Sequence, residues 1–296
     1  MSEAQYYQRI YLLLGLILLT ACGGQNGTTQ NLSENPGNTL GNLLYVDFNN
    51  RAIGPYAATD IKTDFQFGLN GYNEGDAGMR FGSLDIVSDP VQSGRGHVMR
   101  VKRNAGRSGA SIKSGGMHFR ADFAKQDEVY LAYDMYLAPD HEWVKHQKNP
   151  GLITGTLLEA GHAFGVEPEA EGLIAFSTTI TSDSPPAWPV RGYGAMSTYF
   201  YDADVVKRNK FWSENDPSSQ LSAEQYNQPL GYWITVEIHV KMNTVTQEGV
   251  SGLKDGIMEV WVTDPRRWVG SRKVTSHTHR WRITNTMGID LSLIHI

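Results

Sequence analysis

Tyr199 and Tyr201 stand two residues apart in the stretch Gly194–Asp204 (GAMSTYFYDAD), with Phe200 between them. In a strand, successive side chains alternate between faces, so the two phenols share the side opposite Phe200. A half-buried strand needs only one apolar face, so the outward pair calls for a reason. A tyrosine ring offers an apolar body for stacking beside a hydroxyl that donates or accepts. Ser177 and Thr179 form a second outward pair, opposite Ile174, Phe176 and Ile180. Other chemistry finds less support. No Gly-x-Ser-x-Gly elbow surrounds Ser177, which argues against a serine hydrolase. His277-Thr278-His279 can put two imidazoles on one strand face, but no third ligand stands at a recognisable spacing, and no metal is expected. The glycine-rich stretch Gly68–Gly82 lacks a phosphate-loop pattern.

The elements that must hold these residues read as β-strands. From Leu43 onward, short alternating segments are separated by Gly-, Pro- and Asn-rich turns. The alternation predicts strands over Leu44–Phe48, Val98–Lys102, Ser111–Phe119, Val129–Leu137, Leu173–Thr181, Ser197–Tyr201, Trp233–Met242 and Ile257–Thr263. Ile234, Val236, Ile238, Val240 and Met242 share one face; His239, Glu237 and Lys241 share the other, read as solvated. No long stretch has a helical period and no βαβ spacing appears. The fold class expected is all-β: a single antiparallel sandwich or jelly roll of the concanavalin A-like type over residues 43–290. Between the strands, His141–Leu152 reads as a long polar loop with Trp143, Lys145 and Lys148. Ser182–Tyr193 reads as a Pro-rich loop with Arg191, and a short helix is expected around Ser222–Tyr226.

A family resemblance follows from the order of several short elements. Lys148-Asn149-Pro150-Gly151-Leu152 is followed by Phe176-Ser177, Tyr199-x-Tyr201, Gly231-Tyr232-Trp233, Val240-Lys241-Met242-Asn243 and Asp255-Gly256-Ile257-Met258-Glu259-Val260-Trp261-Val262. This ordered set resembles polysaccharide lyase family 14, the alginate and glucuronan lyases. The chain departs from that family's pattern twice: His146-Gln147 stand where two glycines are usual, and Thr179 where an arginine is usual. The resemblance implies a jelly roll, no cofactor, an anionic polysaccharide substrate and a catalytic set of Lys148, Ser177, Tyr199 and Tyr201. Uronate β-elimination needs a cation for the developing enediolate, a base for the proton α to the carboxylate and an acid for the leaving oxygen. Lys148 suits the first task. The tyrosines suit the others where cations lower the ordinary phenol pKa of about 10. Thr179, His118, Arg120, Arg191 and Trp143 are candidate substrate contacts.

Two other functions fit parts of the pattern. A noncatalytic carbohydrate-binding protein on the same fold is favoured by the arginine missing at Thr179. A jelly-roll glycoside hydrolase ranks third, because the closely spaced Glu-x-Asp-x-Glu strand pattern is absent and Glu237 and Glu259 fall on separate strands.

Composition bounds the rest. The chain has 296 residues, 19% of them charged, and a formal net charge of −5. It carries no basic stripe of the kind that binds nucleic acid. The apolar run Ile10–Thr20, preceded by Arg9, is short for a transmembrane helix. With Leu19-Thr20-Ala21-Cys22 after it, residues 1–21 resemble a bacterial lipoprotein signal peptide, with Cys22 as the lipidated residue. Residues 22–42 then read as a flexible tether. Cys22 is the sole cysteine, so an intramolecular disulfide is impossible. The resemblance implies a cell-envelope protein held to a membrane by lipid, and Gly23 after the cysteine favours the outer membrane. Residues 291–296 (LSLIHI) match the translation of a transposon end used in preparing sequencing libraries, and are expected to be non-native.

Overall fold

The computed structural model describes residues 7–13, 44–65, 84–104, 118–141, 147–153, 177–183, 193–201 and 226–295. In chain order the strands are β1 (Tyr7–Leu13), β2 (Gly54–Pro55), β3 (Leu84–Ser88), β4 (His97–Asn104), β5 (His118–Gln126) and β6 (Glu128–Leu137). They continue with β7 (Gln147–Ile153), β8 (Ser177–Asp183), β9 (Tyr193–Tyr201), β10 (Asn227–Pro229) and β11 (Trp233–Lys241). The last are β12 (Val245–Gln247), β13 (Ser251–Gly252), β14 (Gly256–Thr263), β15 (Ser271–His279) and β16 (Ile289–His295); among the described residues there is one helix, α1 (Ala58–Asp64). Every ladder is antiparallel.

Two large sheets make the sandwich. One runs β15-β14-β11-β6-β1-β4-β3-β2, the other β10-β9-β8-β7-β16-β5; β12 and β13 pair separately. The period-two pattern explains the first sheet. Val129, Leu131, Tyr133, Met135 and Leu137 of β6 are buried beside Ile234, Val236, Ile238 and Val240 of β11. Met258, Val260 and Val262 of β14 continue that apolar face. The second sheet closes on it through Leu152, wholly buried in the same core cluster. Gln228 of β10 adds a bridge, its Nε2 donating to Met135 Sδ at 3.5 Å.

Several expectations are corrected. Leu44, Val46 and Phe48 are buried and Tyr45 is exposed, yet 44–48 joins no ladder: packing alone produces the alternation. The supposed loop His141–Leu152 ends in strand β7. β3, β15 and most of β5 went unread; β15 is a polar edge strand, so its period is weak. Residues 111–117, 173–176 and 222–225 lie outside the described residues.

The chain's two ends also enter ladders. Tyr7–Leu13, within the segment read as an export signal, forms β1 between β6 and β4. Its Ile10 pairs with Val101 and Leu137, and its Leu12 with Met99 and Met135. Leu291–His295 pair with β5, and Leu291–Leu293 also with β7. Among the described residues, no helix is long and apolar enough to cross a membrane.

Candidate active site

The register of β7, β8 and β9 gathers the residues singled out in the sequence onto one face. Ser177 pairs with Tyr201 and Thr179 with Tyr199, directly opposite across one ladder. Such cross-strand neighbours have Cβ atoms about 4.5–5.5 Å apart and share a face. Thr181 pairs with Ser197 on one side and with Lys148 on the other. Three rungs therefore cross the sheet: Lys148–Thr181–Ser197, Gly151–Thr179–Tyr199 and Ile153–Ser177–Tyr201. β7 and β9 lie two strand spacings apart, about 9.5 Å.

Lys148 reaches this face through a bulge. In a regular strand it would take the side opposite Gly151, three residues away, because side chains alternate. The register shifts between Lys148 and Gly151, so Asn149 and Pro150 together occupy the place opposite Ile180. That extra residue restores Lys148 to the tyrosine side. Proline lacks an N–H for the ladder and is tolerated at such a bulge. The Lys-Asn-Pro-Gly run thus encodes backbone geometry as well as a cation.

The opposite face is held by the core. Leu152 is fully buried, and its neighbours Gly151 and Ile153 belong to the outward rungs. Gln228, 1% exposed, pairs with Gly194 and so takes the core side of β10. Both markers leave the Lys148–Tyr201 face turned away from the core. The same parity extends to β5, where Arg120 pairs with Leu293, which pairs with Gly151. Arg120 therefore stands on the Thr179–Tyr199 rung, four spacings or about 19 Å from Tyr199. His118, paired with His295, shares that face. Asp122, Thr181 and Ser197 also stand there, and only the pairing reveals them. Trp143, Arg191 and Cys22 lie outside the described residues.

The remaining motif elements build the frame. Gly231 adopts φ 77° and donates its N–H to Leu137 O at 2.7 Å, turning the chain from β10 into β11. Trp233 Nε1 donates to Asp89 Oδ1 at 2.9 Å. Asn243, 1% exposed, accepts the Arg282 N–H at 2.8 Å and donates to Arg282 O at 3.0 Å. Asp255 takes the Thr244 N–H and hydroxyl at 2.8 and 2.7 Å. A Cβ on Gly256 would stand 2.6 Å from Trp281 Cδ1, so only glycine fits there.

The outer face of the larger sheet differs from its sequence reading. His239 is buried rather than solvated, stacked on Tyr130 with ring centroids 4.1 Å apart. Its Nδ1 lies 3.1 Å from Glu259 and its Nε2 2.9 Å from Glu128. Lys273 and His239 hold the Glu259 carboxyl below its ordinary range. Burial instead pushes Glu237 up against one lowering bond from Ser271. The His277 and His279 rings are 5.9 Å apart, and among the described residues no group of three or more His, Cys, Asp or Glu can hold a metal.

An amine, two phenols and a line of hydroxyls thus occupy three adjoining rungs of β7–β9; the same face also holds Asp183 of β8, paired with Ala195, and Asp122 of β5, which continues the Ile153–Ser177–Tyr201 rung through Leu291. Polysaccharide lyase 14 is the family whose model matches, over residues 91–289, and the chain belongs to that family. It is a polysaccharide lyase by that membership. In fold it is similar to alginate lyase Aly36B, at 17% identity and TM-score 0.55, covering 86% of this chain and 85% of that one. The same enzyme with a lysine and a tyrosine replaced by alanine, in complex with alginate tetrasaccharide, aligns at 16% identity and TM-score 0.55, covering 86% of this chain and 85% of that one. The marine PL-14 alginate lyase from Aplysia kurodai aligns at 16% identity and TM-score 0.54, covering 82% of this chain and 88% of that one. No curated protein sequence matches the chain.

Proposed function

We propose that this lyase cleaves an anionic polyuronate, alginate or glucuronan, by β-elimination on the β7–β9 face. The observation that carries the reading is the register itself: Lys148 shares one face with Tyr199 and Tyr201, and the carboxylates placed on that face, Asp122 and Asp183, stand three strand spacings and three rungs apart, too far to act as a pair. A glycoside hydrolase needs two carboxyl groups about 5–9.5 Å apart across the scissile bond. On the elimination reading, one phenolate removes the proton α to the uronate carboxylate and an enediolate forms. The Lys148 ammonium offsets that charge. The electron pair then makes the ring double bond and expels the glycosidic oxygen, which the second phenol protonates. Ser177 sits opposite Tyr201 as a hydrogen-bonding partner to phenol or sugar. Arg120, on the same rung as Thr179, offers a cation toward the side where the family's usual arginine is missing.

That missing arginine favours one second reading, a noncatalytic carbohydrate-binding jelly roll. One assay separates the two. The protein is incubated with alginate and glucuronan while ultraviolet absorbance of unsaturated uronate and reducing ends are followed. Elimination yields both, hydrolysis only reducing ends, and binding neither. A Tyr201→Phe protein at full rate removes that residue from the acid–base pair.

The lipoprotein sequence supports a location in the cell envelope, lipid-anchored at Cys22, in the outer membrane. On that reading β1 leaves with the signal, and the β4 and β6 edges it pairs must close on each other or take another strand.

A further inference from the structure

The β7–β9 face carries one group that a polyanion site does not call for. Asp183 ends β8 on the outward side, two residues beyond Thr181. Its charge has the same sign as a uronate carboxylate and repels it. Its rung towards β10 does not answer it either: Asp183 pairs with Ala195, which pairs with Asn227, and neither is a cation. The cation stands on the other side. Lys148 pairs with Thr181 and Gln147 with Ser182, so Asp183 is diagonal to Lys148, one strand and one rung away. Diagonal neighbours on one face of an antiparallel pair lie about 7–8 Å apart, within reach of a long side chain.

Among the described residues on this face, no other carboxylate is as close to Lys148. Asp122 stands two strand spacings and two rungs from it, about 9.5 Å sideways alone. Tyr199 and Tyr201 lie one and two rungs away on β9, and the remaining titratable positions, His118, Arg120 and His295, belong to β5 and β16. We propose that Asp183 is a positioning residue for Lys148, its carboxylate holding the ammonium in place on the tyrosine face before substrate arrives. The proposal rests on the reading of Lys148 as the cation of the elimination. A lysine side chain has much rotamer freedom, so an ammonium without a fixed partner samples many positions. An opposite charge beside it narrows that range and favours the charged form. The bulge at Asn149–Pro150 and Asp183 then act together: the first sets the face that Lys148 occupies, the second its place on that face.

The test is a double-mutant cycle in the full chain, read as unsaturated product from alginate and glucuronan. Asp183→Asn is expected to lower kcat about three- to tenfold without raising KM, with the melting temperature within about 2 °C of the parent. Asp183→Glu is expected to restore most of the rate. In a Lys148→Ala background, Asp183→Asn is expected to change nothing further. A full rate in Asp183→Asn, an effect on KM alone, or an equal loss in the Lys148→Ala background overturns the positioning role. A second readout does not depend on catalysis: nuclear magnetic resonance of the reductively ¹³C-methylated protein, with the Lys148 signal assigned by its absence from Lys148→Arg. Asp183→Asn should move the titration of that signal about 0.3–0.7 pH units lower; an unmoved titration overturns the pairing. A moved titration in a protein that forms no unsaturated product supports the pairing while removing the elimination reading of the face.

Discussion

Leu152→Ala tests the parity on which the active face depends. Leu152 is wholly buried in the core, while its neighbour Ile153 belongs to the outward rung with Ser177 and Tyr201. Truncating a buried leucine removes its transfer free energy and leaves a cavity, together about 2–5 kcal/mol. In a domain of this size each kcal/mol moves the midpoint by about 2–4 °C, so Leu152→Ala should melt about 5–15 °C lower. Ile153→Ala leaves no core cavity and should shift the midpoint by about 2 °C or less, while lowering turnover through the rung it shares with Tyr201. Thermal unfolding followed by circular dichroism, with turnover measured well below both midpoints, reads the two effects apart. A destabilised Ile153→Ala beside an unaffected Leu152→Ala would reverse the faces of β7 and put Lys148 on the core side.

Three further outcomes follow from other residues. Asp264→Asn should cost about 2–4 kcal/mol, because the arginines that bond this buried carboxylate lose their counter-charge; chemical denaturation measures it. Glu237 has its pKa raised by burial, so its charge opposes folding once pH passes its unfolded value near about 4.3. Glu237→Gln should therefore raise the melting temperature at pH 8 and have no effect near pH 4, as a pH series of melts will read; a constant offset would contradict this. A chain starting at Cys22, lacking β1, should still unfold cooperatively and act on polyuronate if residues 1–21 are an export signal. Loss of cooperative unfolding would instead make β1 an obligatory strand.

Much of the frame was legible because it obeys one period. Val129–Leu137 and Ile234–Met242 alternate between a core face and an outer one, and burial follows that alternation in the folded chain except at Tyr136 and His239, which are buried on the other face. Leu44–Phe48 shows the limit: its alternation reports burial on one side, and nothing local says whether a hydrogen-bonding partner stands beside it. β7 was unread for the opposite reason, because the bulge at Asn149–Pro150 breaks the period that would have marked a strand. The outward pairs Ser177/Thr179 and Tyr199/Tyr201 could be read within each strand. That they stand directly opposite each other required the ladder, since register is a property of two distant segments.

The most direct measurement is the ultraviolet absorbance of unsaturated product from polyuronate, for the parent protein and for Lys148→Ala. On the proposed elimination, the ammonium offsets charge that develops only in the transition state, so its loss should slow product formation by about 10²–10³-fold. Its position on the outward face means that the melting temperature should stay within about 2 °C of the parent. A Lys148→Ala protein that melts normally and forms product at the parental rate would contradict the account.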